Sequence, residues 1–176
     1  MAKTFELITS YTVSSATTDV DISSIPGTYT DLYLTIKGNS TNSMAFPYLR
    51  FNNDTSSVYT SFGAISAGEG NTSSHWYTNK LVDGTYLFNF DIAWTNTGMN
   101  DFFIAEISNY ASSKHKTLMA QGSSSGTPGY DGSMNATGLW RNTSAITTIN
   151  CRLTLSGSNQ NWAVGTKFNL WGIKRA

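Results

Sequence analysis

Hydrophobic and polar residues alternate with a period of two along most of the chain. Phe5, Leu7, Thr9, Tyr11 and Val13 share one face of an extended segment, and Val20 and Ile22 alternate with Asp19, Asp21 and Ser23. Leu32, Leu34 and Ile36 alternate with Asp31, Tyr33, Thr35 and Lys37. The longest aromatic stripe is Tyr86, Phe88, Phe90, Ile92 and Trp94, opposite Asn89 and Asp91. Phe103, Ala105 and Ile107 are set against Asp101 and Glu106, while Phe102 and Ile104 make that segment apolar on both sides. Ile149, Cys151, Leu153 and Leu155 alternate with Asn150, Arg152 and Thr154, and Phe168 and Leu170 with Lys167 and Asn169. Successive side chains of a strand point to opposite faces, so this pattern predicts antiparallel strands with one face buried.

Helical spacing is absent, apart from one short candidate turn at 109–116. Ile25-Pro26-Gly27-Thr28-Tyr29 reads as a tight turn, and Asp83-Gly84 as a hairpin turn between apolar runs. Two stretches rich in Gly and Ser, Gly63–Ser74 and Gly122–Gly138, read as long surface loops. Eight to ten short strands in a chain of 176 residues predict one all-β domain over 1–176. The architecture expected is an antiparallel two-sheet sandwich, jelly-roll-like.

Composition sharpens this picture. Charged residues are 12% of the chain, about half the usual share of ~25%. Eleven cationic residues balance eleven anionic ones, so no basic excess exists to neutralise phosphates and no nucleic-acid partner is expected. Ser, Thr, Asn and Gly replace the missing charge, and aromatics reach 13%, a balance suited to protein assemblies or sugars. The first residues lack a cationic segment followed by an apolar run, and no stretch approaches the ~20 apolar residues of a membrane span. Synthesis in a cytoplasm, without membrane insertion, is therefore expected.

Motifs for catalysis are missing. Two histidines, His75 and His115, and one cysteine, Cys151, offer no nucleophile elbow and no closely spaced zinc ligands. Cys151 patterns as a core residue. Asp91, Asp101 and Glu106 could in principle supply the two facing carboxylates of a glycosidase, but a solvated strand face explains them better. The loop 126–132, which contains Tyr130, lacks the alternating carboxylates of a calcium loop. The expectation is a non-enzyme without cofactor or metal. Five Asn-x-Ser/Thr sequons, at Asn39, Asn53, Asn71, Asn135 and Asn142, follow from the Ser/Thr/Asn-rich composition. The residues left as interface or ligand candidates are Trp76, Tyr77, Tyr130, Trp140, Arg141 and Trp171. Trp76-Tyr77 could stack on a sugar ring or pack in a sheet. Trp140-Arg141 has the residue types of an interface anchor, and Trp140 could equally be core.

Six segments in order carry a resemblance: Phe5-Glu6-Leu7-Ile8; 24–32, Ser-Ile-Pro-Gly-Thr-Tyr-Thr-Asp-Leu; 49–54, Leu-Arg-Phe-Asn-Asn-Asp, with Tyr59; Ile107-Ser108-Asn109-Tyr110-Ala111 with Lys116-Thr117; 138–147, with Trp140, Arg141 and Asn142; and 168–174, Phe-Asn-Leu-Trp-Gly-Ile-Lys. Together they resemble small virion structural proteins and fibre-associated domains of tailed bacteriophages. The resemblance implies a phage-particle component made in the host cytoplasm, without catalytic residues. It implies a homo-oligomer, with a trimer favoured. Two roles compete. One is a capsid decoration, or cement, protein bound to the major capsid protein, which fits a stand-alone domain without a fibrous shaft. The other is a tail fibre or spike subunit that binds a host surface glycan, which fits the neutral polar loops and Trp76-Tyr77. The Tyr33 and Tyr86 faces, Trp76 and Trp171 are the candidates for shared surfaces.

Overall fold

A computed structural model describes residues 3–41, 45–67, 74–82, 85–86, 101–124, 132–155 and 158–175. Every regular element among them is a strand: β1 (Lys3–Thr12), β2 (Asp19–Ile22), β3 (Asp31–Gly38), β4 (Phe46–Phe51), β5 (Tyr59–Ala67), β6 (Ser74–Val82), β7 (Thr85–Tyr86), β8 (Asp101–Ser108), β9 (Lys116–Ser124), β10 (Gly132–Trp140), β11 (Ile149–Leu155), β12 (Ser158–Gln160) and β13 (Lys167–Arg175). They form two antiparallel sheets of a β-sandwich. The larger has the order β1-β13-β3-β8-β9-β10-β5-β6, and the smaller β12-β11-β4-β7 with β2 also on β11.

The core lies between the sheets. Leu32, Leu34 and Ile36 of β3, Phe103, Ala105 and Ile107 of β8, and Phe168 and Leu170 of β13 face it from the large sheet. Leu49 and Phe51 of β4 and Ile149, Cys151 and Leu153 of β11 face it from the small one. These are the positions that period-two alternation selects. Trp162, between β12 and β13, ties the layers together. Its ring meets Phe168 edge-on at 4.9 Å and its indole N–H donates to the Cys151 carbonyl at 3.2 Å.

Several expectations need correction. Thirteen strands are described rather than eight to ten, because the described parts of both presumed loops are strand. β5 runs through Gly63 to Ala67, and β9 and β10 occupy Gly122–Ser124 and Gly132–Gly138. Ser, Thr and Asn on the solvent face of a strand look like loop in composition. The turn at Asp83-Gly84 lies outside the described residues, but the strands on either side do not form a hairpin. β7 pairs with β4 of the other sheet. Residues 109–116 form a turn closed by Ser112 N–H on the Asn109 carbonyl at 2.9 Å, with no helix. Asp101 does not oppose Phe103. It has the same parity, faces inward with it and is fully buried. In β1, a bulge between Leu7 and Thr9 breaks the single face read from Phe5 to Val13. Phe5 and Leu7 are about half exposed, while Val13 is buried. The stripe from Phe88 to Trp94 lies outside the described residues.

Candidate interaction surface

Most of the six landmark segments meet at one end of the sandwich. Tyr29 lies flat on Gly172, where a Cβ would run into its ring. Its hydroxyl donates to Glu6 at 3.2 Å, and its backbone N–H donates to the Tyr110 hydroxyl at 3.3 Å. That hydroxyl donates in turn to the Pro26 carbonyl. Asn109 holds a positive φ of 54° and its N–H donates to Asp31 at 2.9 Å. Alongside, the Trp140 indole N–H donates to Asp54 at 2.9 Å and the Asn142 amide to the same oxygen at 3.3 Å. Asn52 Oδ1 accepts from the N–H groups of Thr147 and Thr148, and its amide donates to the Ala145 carbonyl at 2.7 Å. Backbone bonds from Ile25 to Thr147 and from Ile146 to Tyr110 join the two clusters. These landmarks hold the chain together rather than face a ligand.

This settles Trp140. It is 1% exposed, stacked near Tyr59 with centroids 6.2 Å apart and tilted against Phe51 at 5.6 Å. It is a core residue, not an exposed anchor. Its neighbour Arg141 is exposed, with its N–H on the Val58 carbonyl. Trp76 and Tyr77 sit on β6 opposite Ala64 and Gly63. Tyr130 lies outside the described residues. Trp171 is partly exposed on β13, between Leu7 of β1 and Tyr33 of β3. Trp140 in the core and Trp171 on the outer face of the large sheet are therefore not gathered into one site.

Of the carboxylates, Asp91 lies outside the described residues and the other two separate. Asp101 points into the core and Glu106 to the opposite face of the same strand, so these two cannot flank a substrate together. Cys151 is wholly buried, and burial, with Asp21 nearby, pushes its thiol far above the ordinary range. Among the described residues no group of three or more His, Cys, Asp or Glu is placed to hold a metal ion, and no helix is long and apolar enough to cross a membrane.

The outer faces of the two sheets differ in kind. On the small sheet the outward side is polar, largely covered and internally paired, with Tyr48, Arg50 and Asn150 all buried. Arg152 forms an ion pair with Asp19 and donates to the Tyr48 hydroxyl at 3.1 Å. Asn150 donates to Asp21 at 2.7 Å, and Arg50 lies 5.6 Å from the Tyr48 ring centroid. Partial burial works to raise the Asp19 carboxyl, but the bonds from Arg152, Thr18 and Asn150 hold it below its ordinary value.

On the large sheet the outward row runs Leu7, Trp171, Tyr33, Glu106, Met119, Thr137 and Phe62 across seven strands. Met119, beside Glu106 at the row's middle, is 67% exposed, and Leu7, Phe62 and, two rows away, Phe102 are each more than 40% exposed. Ile104 and Ala64 extend the apolar area in the next row. Shallow depressions flank Met119, one of about 490 Å³ between Phe62, Thr117 and Leu139 and another of about 230 Å³ between Tyr33, Ile104 and Gln121. Sequence reading missed Met119 and Phe62 because both stand just ahead of the stretches read as loops, Gly122–Gly138 and Gly63–Ser74. The alternation of Leu118, Met119, Ala120 and Gln121 was the available signal. No family model, curated protein or solved structure matches the chain.

Proposed function

We propose that the chain is a non-enzymatic virion structural protein of a tailed bacteriophage, a jelly-roll-like sandwich that decorates the capsid by binding the major capsid protein. The observation that carries this reading is the convergence of the landmark segments. Residues 24–32, 49–54, 107–111, 138–147 and 168–174 are far apart in sequence yet interlock through Tyr29, Asp54, Tyr110 and Trp140. Segments far apart in sequence that interlock are what a common fold would require, and the proposed role rests on that resemblance.

A cement protein acts by mass action. Whatever binds only the assembled shell stabilises it against disassembly. Such a protein needs a stable scaffold and a surface rather than a reactive centre. The test is co-sedimentation with capsids stripped of minor components, beside isolated tails and host cells. Binding at many sites per shell, with a higher temperature for shell disruption, is expected. Binding to cells alone, competed by surface polysaccharide, would replace this reading with a receptor-binding tip.

A further inference from the structure

We infer that the outer face of the large sheet, centred on Met119, is the surface through which two copies of this chain pair face to face. The inference does not depend on where the protein sits in a particle.

Area, polarity and charge all point to a second copy. Seven strands spaced ~4.8 Å apart make the face about 29 Å wide, and four outward positions per strand make it about 20 Å long. That footprint, roughened by side chains, approaches the ~800 Å² per partner of a standard stable interface. Leu7, Trp171 and Tyr33 adjoin on one side of Glu106, and Met119 and Phe62 lie on the other with Thr137 between them, a larger grouping of apolar side chains than the single ones ordinary on a monomer.

Five polar residues on the face already bond to each other along the sheet. The Ser10 hydroxyl donates to Asn169 at 2.7 Å, the Asn169 amide to Thr35 at 3.3 Å, and the Gln121 amide to Asn135 at 3.0 Å. Covering such groups costs little, because burial is expensive only for polar groups left unpaired. Between Met119 and Phe62 the row holds no ionisable side chain. Glu106, beside Met119 at the row's middle, is its one charge, and two lysines, Lys37 and Lys167, stand side by side at one margin. A chain with formal net charge +0 does not repel its own copy. One patch on one face makes an isologous contact, which closes as a two-fold dimer. Two sheets packed this way sit ~10 Å apart with interleaved side chains. Met119 suits that position because a flexible thioether adapts to a facing copy.

The experiment is sedimentation equilibrium on the full chain and on three variants. The wild type is expected to run as a dimer of the 19.2 kDa chain at micromolar concentration. Met119→Lys is expected to weaken self-association at least about 100-fold, since a charge would be buried without a partner, and to keep the wild-type circular dichroism. Met119→Gln, a milder change, keeps the test decisive if the lysine variant does not fold. Val164→Lys alters a residue as exposed as Met119 but in the turn before β13, and is expected to leave the dimer intact. A monomeric wild type, a trimer, or a dimer indifferent to both Met119 variants would overturn the inference. A monomer whose shell binding is lost in Met119→Lys would assign the face to the shell instead, and also overturn it.

Discussion

Asp54 and Trp140 show how one side chain can serve two elements. The indole fills the core between Phe51 and Tyr59, and its N–H ends on a carboxylate in the turn after β4. Trp140→Ala removes both, so a loss of ~3–5 kcal/mol is expected in urea denaturation. Trp140→Phe keeps much of the volume and loses the hydrogen bond, and is expected to cost clearly less. The carboxylate gives a pH signature. Partial burial works to raise Asp54, yet the bonds from Ser56, Trp140 and Asn142 outweigh it and hold the group below its ordinary 3.8. A depressed folded pKa means that this stabilisation is complete above the unfolded value and is lost as pH falls through the folded one. The urea midpoint is therefore expected to fall on acidification below about pH 4, and to fall less in Asp54→Asn. Equal slopes in both proteins would show that Asp54 does not contribute. Gly172 is a steric counterpart. Its missing Cβ is where the Tyr29 ring lies, so Gly172→Ala is expected to cost ~1–3 kcal/mol by overpacking. Much of that loss should disappear in a Tyr29→Ala background, which a double-mutant cycle would read as coupling.

Among elements, β10 carries the most pairing in the large sheet, matched along nine residues to β9 on one side and to β5 on the other. Deleting 133–137 is therefore expected to abolish the folded circular dichroism spectrum, whereas a true surface loop would tolerate it. The sequence predicted the opposite, and the reason is physical. Ser133, Asn135 and Thr137 are exposed, while Met134 and Ala136 are buried; small inward residues and polar outward ones give a weak hydrophobic alternation, so composition suggested a loop. Where the inward residues are large, as in β3, β8 and β11, period two identified the strands and their buried faces correctly. Tertiary placement was less legible. Trp140 reads as anchor or core until Asp54 is found beside it, and Asp101 was put on the wrong side by charge although its parity places it inward. The Met119 face could not be read from one strand, because it exists only when β1, β13, β3, β8, β9, β10 and β5 lie side by side.

At the scale of the whole molecule, Cys151 offers a direct measure of cooperativity. It lies at the middle of β11, flanked by β2 and β4, and no part of it reaches solvent. Burial first, and Asp21 second, raise its thiol pKa, so the reactive thiolate is suppressed as well as hidden. Labelling by a disulfide reagent near neutral pH then requires an opening that parts the small sheet. If the two sheets unfold together, the labelling rate at low reagent is set by global stability. It should rise with urea in step with loss of tryptophan fluorescence, because Trp162 bonds to the Cys151 carbonyl and packs on Phe168 of the opposite sheet. Rapid labelling of the native protein, or labelling that ignores urea, would mean that β11 opens by itself. The same probe reports on pairing. Cys151 sits in the small sheet, so a partner on the outer face of the large sheet cannot shield it directly. A labelling rate that falls as protein concentration rises would therefore reflect added stability of the folded state, as mass action requires when only folded copies pair. Met119→Lys should remove that concentration dependence while leaving the urea dependence in place.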